Sequence, residues 1–213
     1  MNVDEVNFYA AMAGTVAFAL SAVLSVSDRK IDLFAAIVLG TMTAVGGGTI
    51  RDIIVDVPVF WGKELSYIWV SIVTCVFTFF TYKLFVRHHF MRSLFLYLDG
   101  FGAALFGIEA VGKVWDLGFG LPVGPVILGV TTAIGGGLIR DMLAGRQTLL
   151  MSRELYAVPV LFGCSLFVLI LTYAPEYRFW GSIFCMLVIF VIRFAAIKWK
   201  LKIPEWNIIG GNL

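Results

Sequence analysis

Charged residues are scarce in this chain, and their scarcity excludes most classes of protein. Of its 213 residues, 14% are charged and 60% are hydrophobic, and the mean hydropathy is +0.94. A soluble domain is typically about 25% charged, and a chain this short could not bury so much apolar surface in one water-soluble core. Disordered chains are polar, so disorder is excluded as well. The composition therefore predicts an integral membrane protein.

Cysteine and histidine are also rare, which excludes several kinds of site. The three cysteines lie inside apolar runs without a CxxC spacing, and the two histidines are adjacent to each other. We therefore expect no disulfide framework, no metal site and no cofactor. The net charge of +2 gives no basic excess of the kind that binds nucleic acid. The sequence contains no HExxH, GxSxG or Walker motif, so an enzyme is not expected.

Seven apolar segments are long enough to cross a membrane as helices. They lie at about 8–26, 33–57, 65–86, 94–113, 121–143, 155–173 and 179–198. The segments are continuously apolar and lack the alternation of barrel strands, which predicts an α-helical bundle. No Ser-rich or Gly-rich linker divides the chain, so we expect a single transmembrane domain over residues 1–213. The acidic N-terminal stretch is unlike a secretory signal, which predicts that the first segment is retained.

The distribution of basic residues predicts the orientation of this bundle. Lys and Arg residues in alternate connections number 12 on the side of the C-terminal tail and 4 on the other side. Because cytoplasmic loops are enriched in Lys and Arg, we expect an external N-terminus and a cytoplasmic C-terminus.

One motif occurs twice in the sequence. Residues 40–52 read GTMTAVGGGTIRD and residues 129–141 read GVTTAIGGGLIRD, with nine of the thirteen positions identical. The repeat unit of about 89 residues contains three apolar segments, an odd number, so the second copy enters the membrane from the opposite side. An inverted repeat of this kind is common in transport proteins. The two predicted repeats and the seventh helix outside them lie at about 8–86, 94–173 and 179–198.

The glycines of the motif predict a break in each of its helices. A run of three costs helix stability, about 1 kcal/mol per Gly relative to Ala, and lets the backbone leave helical geometry. Unwound backbone is tolerated beside a water-filled cavity, where its carbonyl groups can face a cation. Close helix packing explains single small residues at four-residue spacing but does not require three in a row. The candidates are Gly46, Gly47, Gly48, Gly135, Gly136 and Gly137.

Each copy of the motif ends in an Arg-Asp pair, Arg51–Asp52 in the first and Arg140–Asp141 in the second. A charge inside the bilayer costs a few kcal/mol, so such residues either line a pathway or form structural ion pairs near the helix ends. Sequence neighbours do not face each other on a helix. We therefore expect each arginine to pair with a group other than its adjacent aspartate, and cross-pairing between the repeats is one candidate.

Two threonines and one carboxylate complete the candidate pathway. Thr43 and Thr132 share a helix face with the arginines of their own motifs. Glu109 lies within the fourth segment, where it takes the place of Ser21 in the first repeat. Asp99, ten residues before Glu109, is a candidate either for the pathway or for the membrane interface.

On these residues the sequence resembles the trimeric intracellular cation channel family, in particular its prokaryotic branch. The resemblance is carried by residues 32–52, 96–112 and 124–141 and extends over about 8–195. It implies two inverted three-helix bundles plus a seventh helix, assembled as a homotrimer in the inner membrane of a prokaryotic cell. It also implies one pore in each protomer, lined by the glycine-broken second and fifth helices. The implied function is conduction of monovalent cations, mainly K⁺ and also Na⁺.

Two functions stay open at this point. The first is a passive monovalent cation channel whose arginines tune gating. The second is a secondary transporter for a small amino acid such as glycine, because inverted repeats with broken helices suit a transporter equally well and bacterial relatives have been linked to glycine uptake. Membrane lipids and monovalent cations are the partners expected in the first case.

Overall fold

The structure, a computed structural model, describes residues 3–82, 88–152 and 155–201. Within these ranges the side chains of residues 3–7 and 88–92 are not described. Four basic residues that support the predicted orientation lie outside the described ranges: Lys83, Arg87, Arg153 and Lys202. A fifth, Arg92, and the two histidines, His88 and His89, lie within the ranges, but their side chains are not described.

Eight α-helices and no β-strand make up the described ranges. They are α1 (Val3–Ser25), α2 (Leu33–Ile54), α3 (Phe60–Lys63), α4 (Ser66–Thr81), α5 (His88–Asp116), α6 (Val123–Leu143), α7 (Ala157–Tyr173) and α8 (Arg178–Lys198). Five of them, α1, α2, α5, α6 and α8, are long and apolar enough to cross a membrane, whereas α4 and α7 are apolar but have only 16 and 17 residues. The predicted class, an all-α membrane protein, is confirmed.

Helices α1 and α5 form the centre of the bundle and pack extensively against each other. Their contact includes a stack of two aromatic rings, Phe18 and Phe106, whose centroids are 5.5 Å apart. Glycines make room for both rings, since a Cβ atom at Gly14 would lie 2.9 Å from Phe106 and one at Gly102 would lie 2.8 Å from Phe18. Around this centre, α2 and α4 pack on α1, while α6, α7 and α8 pack on α5.

Helices α2 and α6 contact each other directly at the glycines of the repeated motif. A Cβ atom at Gly47 would lie 2.2 Å from the carbonyl oxygen of Thr132, and one at Gly136 would lie 2.3 Å from that of Thr43. Such short distances leave no room for a side chain, so the two helix backbones touch. Small residues bring transmembrane helices together in the same way.

The predicted break of α2 and α6 at their triple glycines is wrong. Both helices are continuous, from Leu33 to Ile54 and from Val123 to Leu143. In a bilayer an unwound turn loses backbone hydrogen bonds that no water replaces, at several kcal/mol per unsatisfied group. That cost exceeds the helix-propensity cost of about 1 kcal/mol per glycine. Four of the six glycines instead serve the contact between the helices: Gly46, Gly47, Gly135 and Gly136.

The two helices also end in the same way. A residue in the left-handed conformation follows each of them, Asp56 with φ 54° after α2 and Gly145 with φ 56° after α6. The amide of the next residue donates a hydrogen bond to the carbonyl five positions earlier, at 3.0 Å after α2 and 2.9 Å after α6. This is the Schellman arrangement that satisfies the last carbonyl groups of a helix.

The close crossing of α2 and α6 predicts that Gly47→Ala destabilises the protein. The new methyl group would meet a helix backbone, which cannot move aside, so we expect a loss of about 2–3 kcal/mol. Thermal unfolding of the detergent-solubilised protein measures this as a lower Tm. The matched control is Gly112→Ala in α5, where the nearest atom to a Cβ is 3.5 Å away. Equal Tm values for Gly47→Ala and the unchanged protein would contradict the crossing.

The helix ends predict opposite effects of two substitutions at matching positions. An L-residue in the left-handed region is strained and glycine is not. We therefore expect Asp56→Gly to raise the free energy of unfolding by about 1 kcal/mol and Gly145→Ala to lower it by about 1 kcal/mol. The same thermal unfolding assay checks both, and a lower Tm for Asp56→Gly would refute the assignment.

Candidate functional site

Two clusters of charged side chains lie inside the bundle, and α5 contributes to both of them. The Arg51 cluster consists of Arg51, Asp52, Glu109 and Lys113, and the Arg140 cluster consists of Asp99, Arg140, Asp141, Tyr156 and Arg193. Asp99 and Glu109 are ten residues apart on α5, a rise of about 15 Å along the helix. The two clusters are therefore stacked along the bundle.

The Arg51 cluster is a continuous chain of ion pairs that runs from Lys113 through Asp52 and Arg51 to Glu109. Arg51 donates from Nε to Asp52 Oδ1 at 2.8 Å and from Nη1 to Glu109 Oε2 at 2.6 Å. Lys113 donates from Nζ to the same Asp52 oxygen at 2.7 Å. Two cations thus face two carboxylates, which makes the cluster neutral. Neutrality is what allows charges to remain at membrane depth.

The Arg140 cluster repeats part of this pattern. Arg140 donates from Nε to Asp141 Oδ1 at 2.9 Å, from Nη1 to Asp99, and from Nη1 to Ser21 Oγ at 3.3 Å. Its guanidinium carbon also lies 4.8 Å from the ring centroid of Phe95, a cation–π contact. The hydroxyl of Ser21 stands where the first cluster has the carboxylate of Glu109, as the repeat alignment predicts.

A second arginine, Arg193 of α8, completes this cluster. It donates from Nη1 to the carbonyl oxygen of Leu155 at 2.9 Å, and its guanidinium carbon lies 4.7 Å from the ring centroid of Tyr156. Its Nη2 is 3.8 Å from Asp99 Oδ2, which is longer than a hydrogen bond. The cluster is again neutral, with two arginines and two aspartates.

Each aspartate of the motif has a second structural role. The other carboxylate oxygen of Asp52 accepts the backbone N–H of Phe60 at 2.8 Å, and that of Asp141 accepts the backbone N–H of Leu149 at 3.0 Å. Each carboxylate therefore fixes the chain eight residues after it. This bonding ties the end of each motif helix to the connection that follows it.

The predicted partners of the two arginines are partly right. Pairing with a residue other than the adjacent aspartate occurs in both clusters, and the Arg51–Glu109 pair joins residues from different repeats. The expectation that each arginine avoids its adjacent aspartate is wrong. Each arginine lies in the last turn of its helix, and its long side chain folds so that Nε reaches the neighbouring carboxylate. Asp99 is fully buried inside the bundle.

The two clusters differ in their access to water. The side chains of Asp99 and Arg140 are 0% exposed, whereas those of Glu109 and Lys113 are 22% and 29% exposed. A cavity of about 170 Å³ between α5, α7 and α8 borders Glu109 and Lys113. It is also lined by Ile108, Gly112, Asp116, Phe167, Arg178, Phe179, Ser182 and Met186. One cluster therefore faces a polar cavity and the other is enclosed by protein.

The predicted threonines and glycines offer no free polar side-chain group to a pathway; the threonine hydroxyls bond within their own helices, and the glycines allow close packing. The hydroxyls of Thr43 and Thr132 each donate to a carbonyl of their own helix at 2.6 Å. All six glycines of the two triplets are buried. Gly137 borders a cluster, since a Cβ atom there would lie 2.5 Å from the Tyr156 hydroxyl and 3.3 Å from Asp99 Oδ1. Gly48 and Gly46 instead pack against Phe60 and Ile139.

Sequence reasoning missed three members of the clusters. Lys113 follows Glu109 by one helical turn, a spacing that signals an ion-pair network on one helix face. Tyr156 and Tyr67 are 89 residues apart, the same offset as the repeated motif. Arg193 lies inside the seventh apolar segment but close to the basic tail, and it is one of the 12 basic residues on the side of that tail. An arginine flanked by apolar residues on both sides is itself the signal.

Comparison with known proteins gives consistent matches over nearly the whole chain. A family model described as glycine transporter matches residues 8–83 and 96–172. The inner membrane protein YadS of Escherichia coli strain K12 is 35% identical over 202 residues, which cover 92% of this chain and 93% of YadS.

Solved structures match this fold closely. That of the trimeric intracellular cation (TRIC) channel orthologue from Rhodobacter sphaeroides has a TM-score of 0.85 and 31% identity, and the match covers 92% of this chain and 99% of that one. Another solved structure, from work on conductance through TRIC cation channels, has a TM-score of 0.81 and 27% identity. The match covers 95% of this chain and 98% of that one. These similar proteins are described as membrane proteins or channels.

The difference in burial predicts unequal costs for removing one carboxylate from each cluster. Asp99→Asn leaves an uncompensated charge in a fully enclosed site, and we expect it to cost about 3–5 kcal/mol of stability. Glu109→Gln removes one of the two carboxylates that pair with Arg51, which keeps Asp52. Because Glu109 is partly exposed at a polar cavity, solvent screens the loss, and we expect about 1 kcal/mol. Thermal unfolding in detergent compares the two variants. A larger Tm loss for Glu109→Gln would contradict the assigned burial.

Proposed function

Because the chain belongs to the trimeric intracellular cation channel family, in its prokaryotic branch, we propose that it is a cation channel of the inner membrane. The observation that carries the proposal is the pair of neutral charged clusters stacked along α5, inside helices that otherwise present apolar side chains. Ionisable groups at membrane depth mark ion pathways. We propose K⁺ and also Na⁺ as the permeant ions, with no cofactor.

We propose that seven helices cross the membrane as one domain. Helices α1, α2 and α4 form the first repeat, α5, α6 and α7 form the second in the opposite orientation, and α8 stands outside both. Helices α4 and α7 span about 24–26 Å, a little less than the apolar core of a typical bilayer. The matched endings of α2 and α6 and the mutual glycine–phenylalanine contacts of α1 and α5 support this arrangement.

The proposed pathway runs from the cavity past the Arg51 cluster to the Arg140 cluster. Within the Arg51 cluster, Glu109 is the carboxylate that a cation meets first, because it is partly exposed at the cavity. Asp52 and Asp141 offer further negative charge, while Arg51 and Arg140 restrict passage. Since α2 and α6 are continuous, the glycines contribute by letting these helices approach rather than by exposing carbonyl groups. Opening then requires the side chains of the buried cluster to separate.

The assembly and the orientation are parts of the same proposal. The similar channel structure from Rhodobacter sphaeroides is described as trimeric. We propose that this chain also forms a homotrimer, with one pathway in each protomer. The N-terminus lies outside and the C-terminus in the cytoplasm, as the basic residues indicate. Lipid contacts an apolar face of α8, which exposes large side chains at helical spacing: Trp180, Phe184, Leu187 and Val191.

A second candidate function is uptake of a small amino acid. The family model that matches is described as glycine transporter. The cavity carries charges of both signs, with Glu109 and Asp116 beside Lys113 and Arg178. Such a set can face both the ammonium and the carboxylate group of a zwitterion.

Electrical recording and isotope uptake on one reconstituted preparation separate the two functions. For a channel we expect unitary K⁺ currents in planar bilayers and uptake that does not saturate with glycine. Saturable glycine uptake by well-folded protein that gives no unitary current would establish the second candidate instead.

The same preparation tests the role of the two motif arginines. Because each borders the proposed pathway, we expect Arg51→Ala and Arg140→Ala, made separately, to change conductance or open probability at least threefold without preventing assembly. Arg146→Ala is the matched control, since Arg146 pairs with Asp28 at the exposed end of α6. Unchanged currents in both motif variants would reduce their ion pairs to a structural role.

A further inference from the structure

Helix α8 lies outside both repeats, yet it delivers a fully buried arginine to one of the two clusters. Arg193 is 1% exposed and is held between the start of α7 and the middle of α5. Gly100 of α5 allows this approach, since a Cβ atom there would lie 3.3 Å from Arg193 Cβ and from its Nε. The position of Arg193 is therefore set by packing on two helices.

Asp99 stands between two arginines and is bonded to one of them. Its Oδ1 accepts from Arg140, while its Oδ2 faces Arg193 Nη2 at 3.8 Å. Five buried polar atoms of this cluster have no hydrogen-bond partner within the described residues: Asp99 Oδ2, Arg140 Nη2, Tyr156 Oη, Arg193 Nε and Arg193 Nη2. The bonding capacity of Asp99 and Arg193 toward each other is thus unused.

The Arg51 cluster shows the contrast. There both cations contact a carboxylate at 2.6–2.8 Å, and the second cation, Lys113, comes from α5 itself. In the Arg140 cluster the second cation comes from a different helix and stops about 1 Å short of hydrogen-bonding distance. A small movement of α8 against α5 would close that gap.

Separating Arg140 from Asp99 without help would leave a buried carboxylate uncompensated, which is strongly unfavourable. A second arginine next to the free carboxylate oxygen removes that obstacle, because Asp99 exchanges one cation for another. Arg140 keeps Asp141 as its partner throughout. Neither carboxylate is without an arginine partner at either end of the exchange.

We propose that Arg193 is a positioning residue for gating, which receives Asp99 from Arg140 when the buried end of the pathway opens. This inference rests on the proposed channel function, because the exchange of partners produces an open state only if the protein conducts ions. It assigns α8 as the element that moves relative to the two repeats.

Single-channel recording of Arg193→Gln in planar bilayers with symmetric KCl tests the proposal. The open state loses the cation that receives Asp99, so open probability should fall at least tenfold while unitary conductance stays unchanged. Lys198→Gln is the control, because it removes an exposed positive charge from the same end of α8 and should leave open probability unchanged. Open probability that is unchanged or raised in Arg193→Gln overturns the proposal.

Two further variants cover a failure to fold and a purely structural role. Arg193→Lys keeps the charge but cannot hold both the Leu155 carbonyl and Asp99, so open probability should fall about threefold. A value equal to that of the unchanged protein counts against the exchange.

In an Asp99→Asn background there is no carboxylate that could pass from Arg140 to Arg193. Adding Arg193→Gln there should change open probability less than twofold, and a tenfold fall would indicate a structural effect of Arg193 alone.

An accessibility measurement separates this inference from the channel function. Ser21 is buried against Arg140, so a thiol at Ser21→Cys should react with a water-soluble thiol reagent only when Arg140 moves away. Protein with only its native cysteines, all three buried, gives the background rate. Arg193→Gln should slow the reaction at least tenfold. If no variant conducts but this slowing occurs, the channel function fails and the exchange stands; an equal rate refutes the exchange.

Discussion

The backbone contact between α2 and α6 is the constraint on which the rest of the structure depends. Gly47 and Gly136 bring each helix against a threonine carbonyl of the other. The motif arginines follow these glycines by four residues, one turn further along each helix. The crossing therefore sends Arg51 and Arg140 toward opposite parts of α5, where Glu109 and Asp99 receive them. A side chain at the crossing would separate the helices and pull both arginines from their partners.

Pairing of every buried charge is the second constraint, and it follows from the scarcity of water in the bilayer core. Both clusters balance two cations with two carboxylates, so neither carries a net charge. They differ in what surrounds them, because the Arg51 cluster borders a polar cavity while the Arg140 cluster is enclosed. The enclosed cluster holds its charges by packing as well as by bonding, with aromatic rings of Phe95 and Tyr156 against its two guanidinium groups.

Composition and hydrophobic segments were sufficient to predict the all-α membrane class, and the repeated motif was sufficient to select the arginines that form the clusters. The sequence was not sufficient for their partners, because pairing depends on how a long side chain folds at a helix end. The predicted break failed for a related reason: helix propensity describes an isolated helix, whereas here the opposite backbone compensates for the glycines. Arg193 was missed because it lies outside the repeated motif and close to the basic tail, while its partners lie 37 to 94 residues away along the chain.

Ser21 and Glu109 occupy corresponding positions in the two repeats, and their difference has a consequence for the origin of the chain. An ancestor built from two identical copies of one repeat would carry the same residue at both positions. A hydroxyl facing one arginine and a carboxylate facing the other requires two copies that have mutated independently of each other. In the present chain, Arg51 draws its carboxylate from the second repeat and Arg140 contacts a hydroxyl of the first. Independent change of the two copies thus made the unlike ends of the bundle possible, and it placed one carboxylate of the Arg51 cluster in the other repeat.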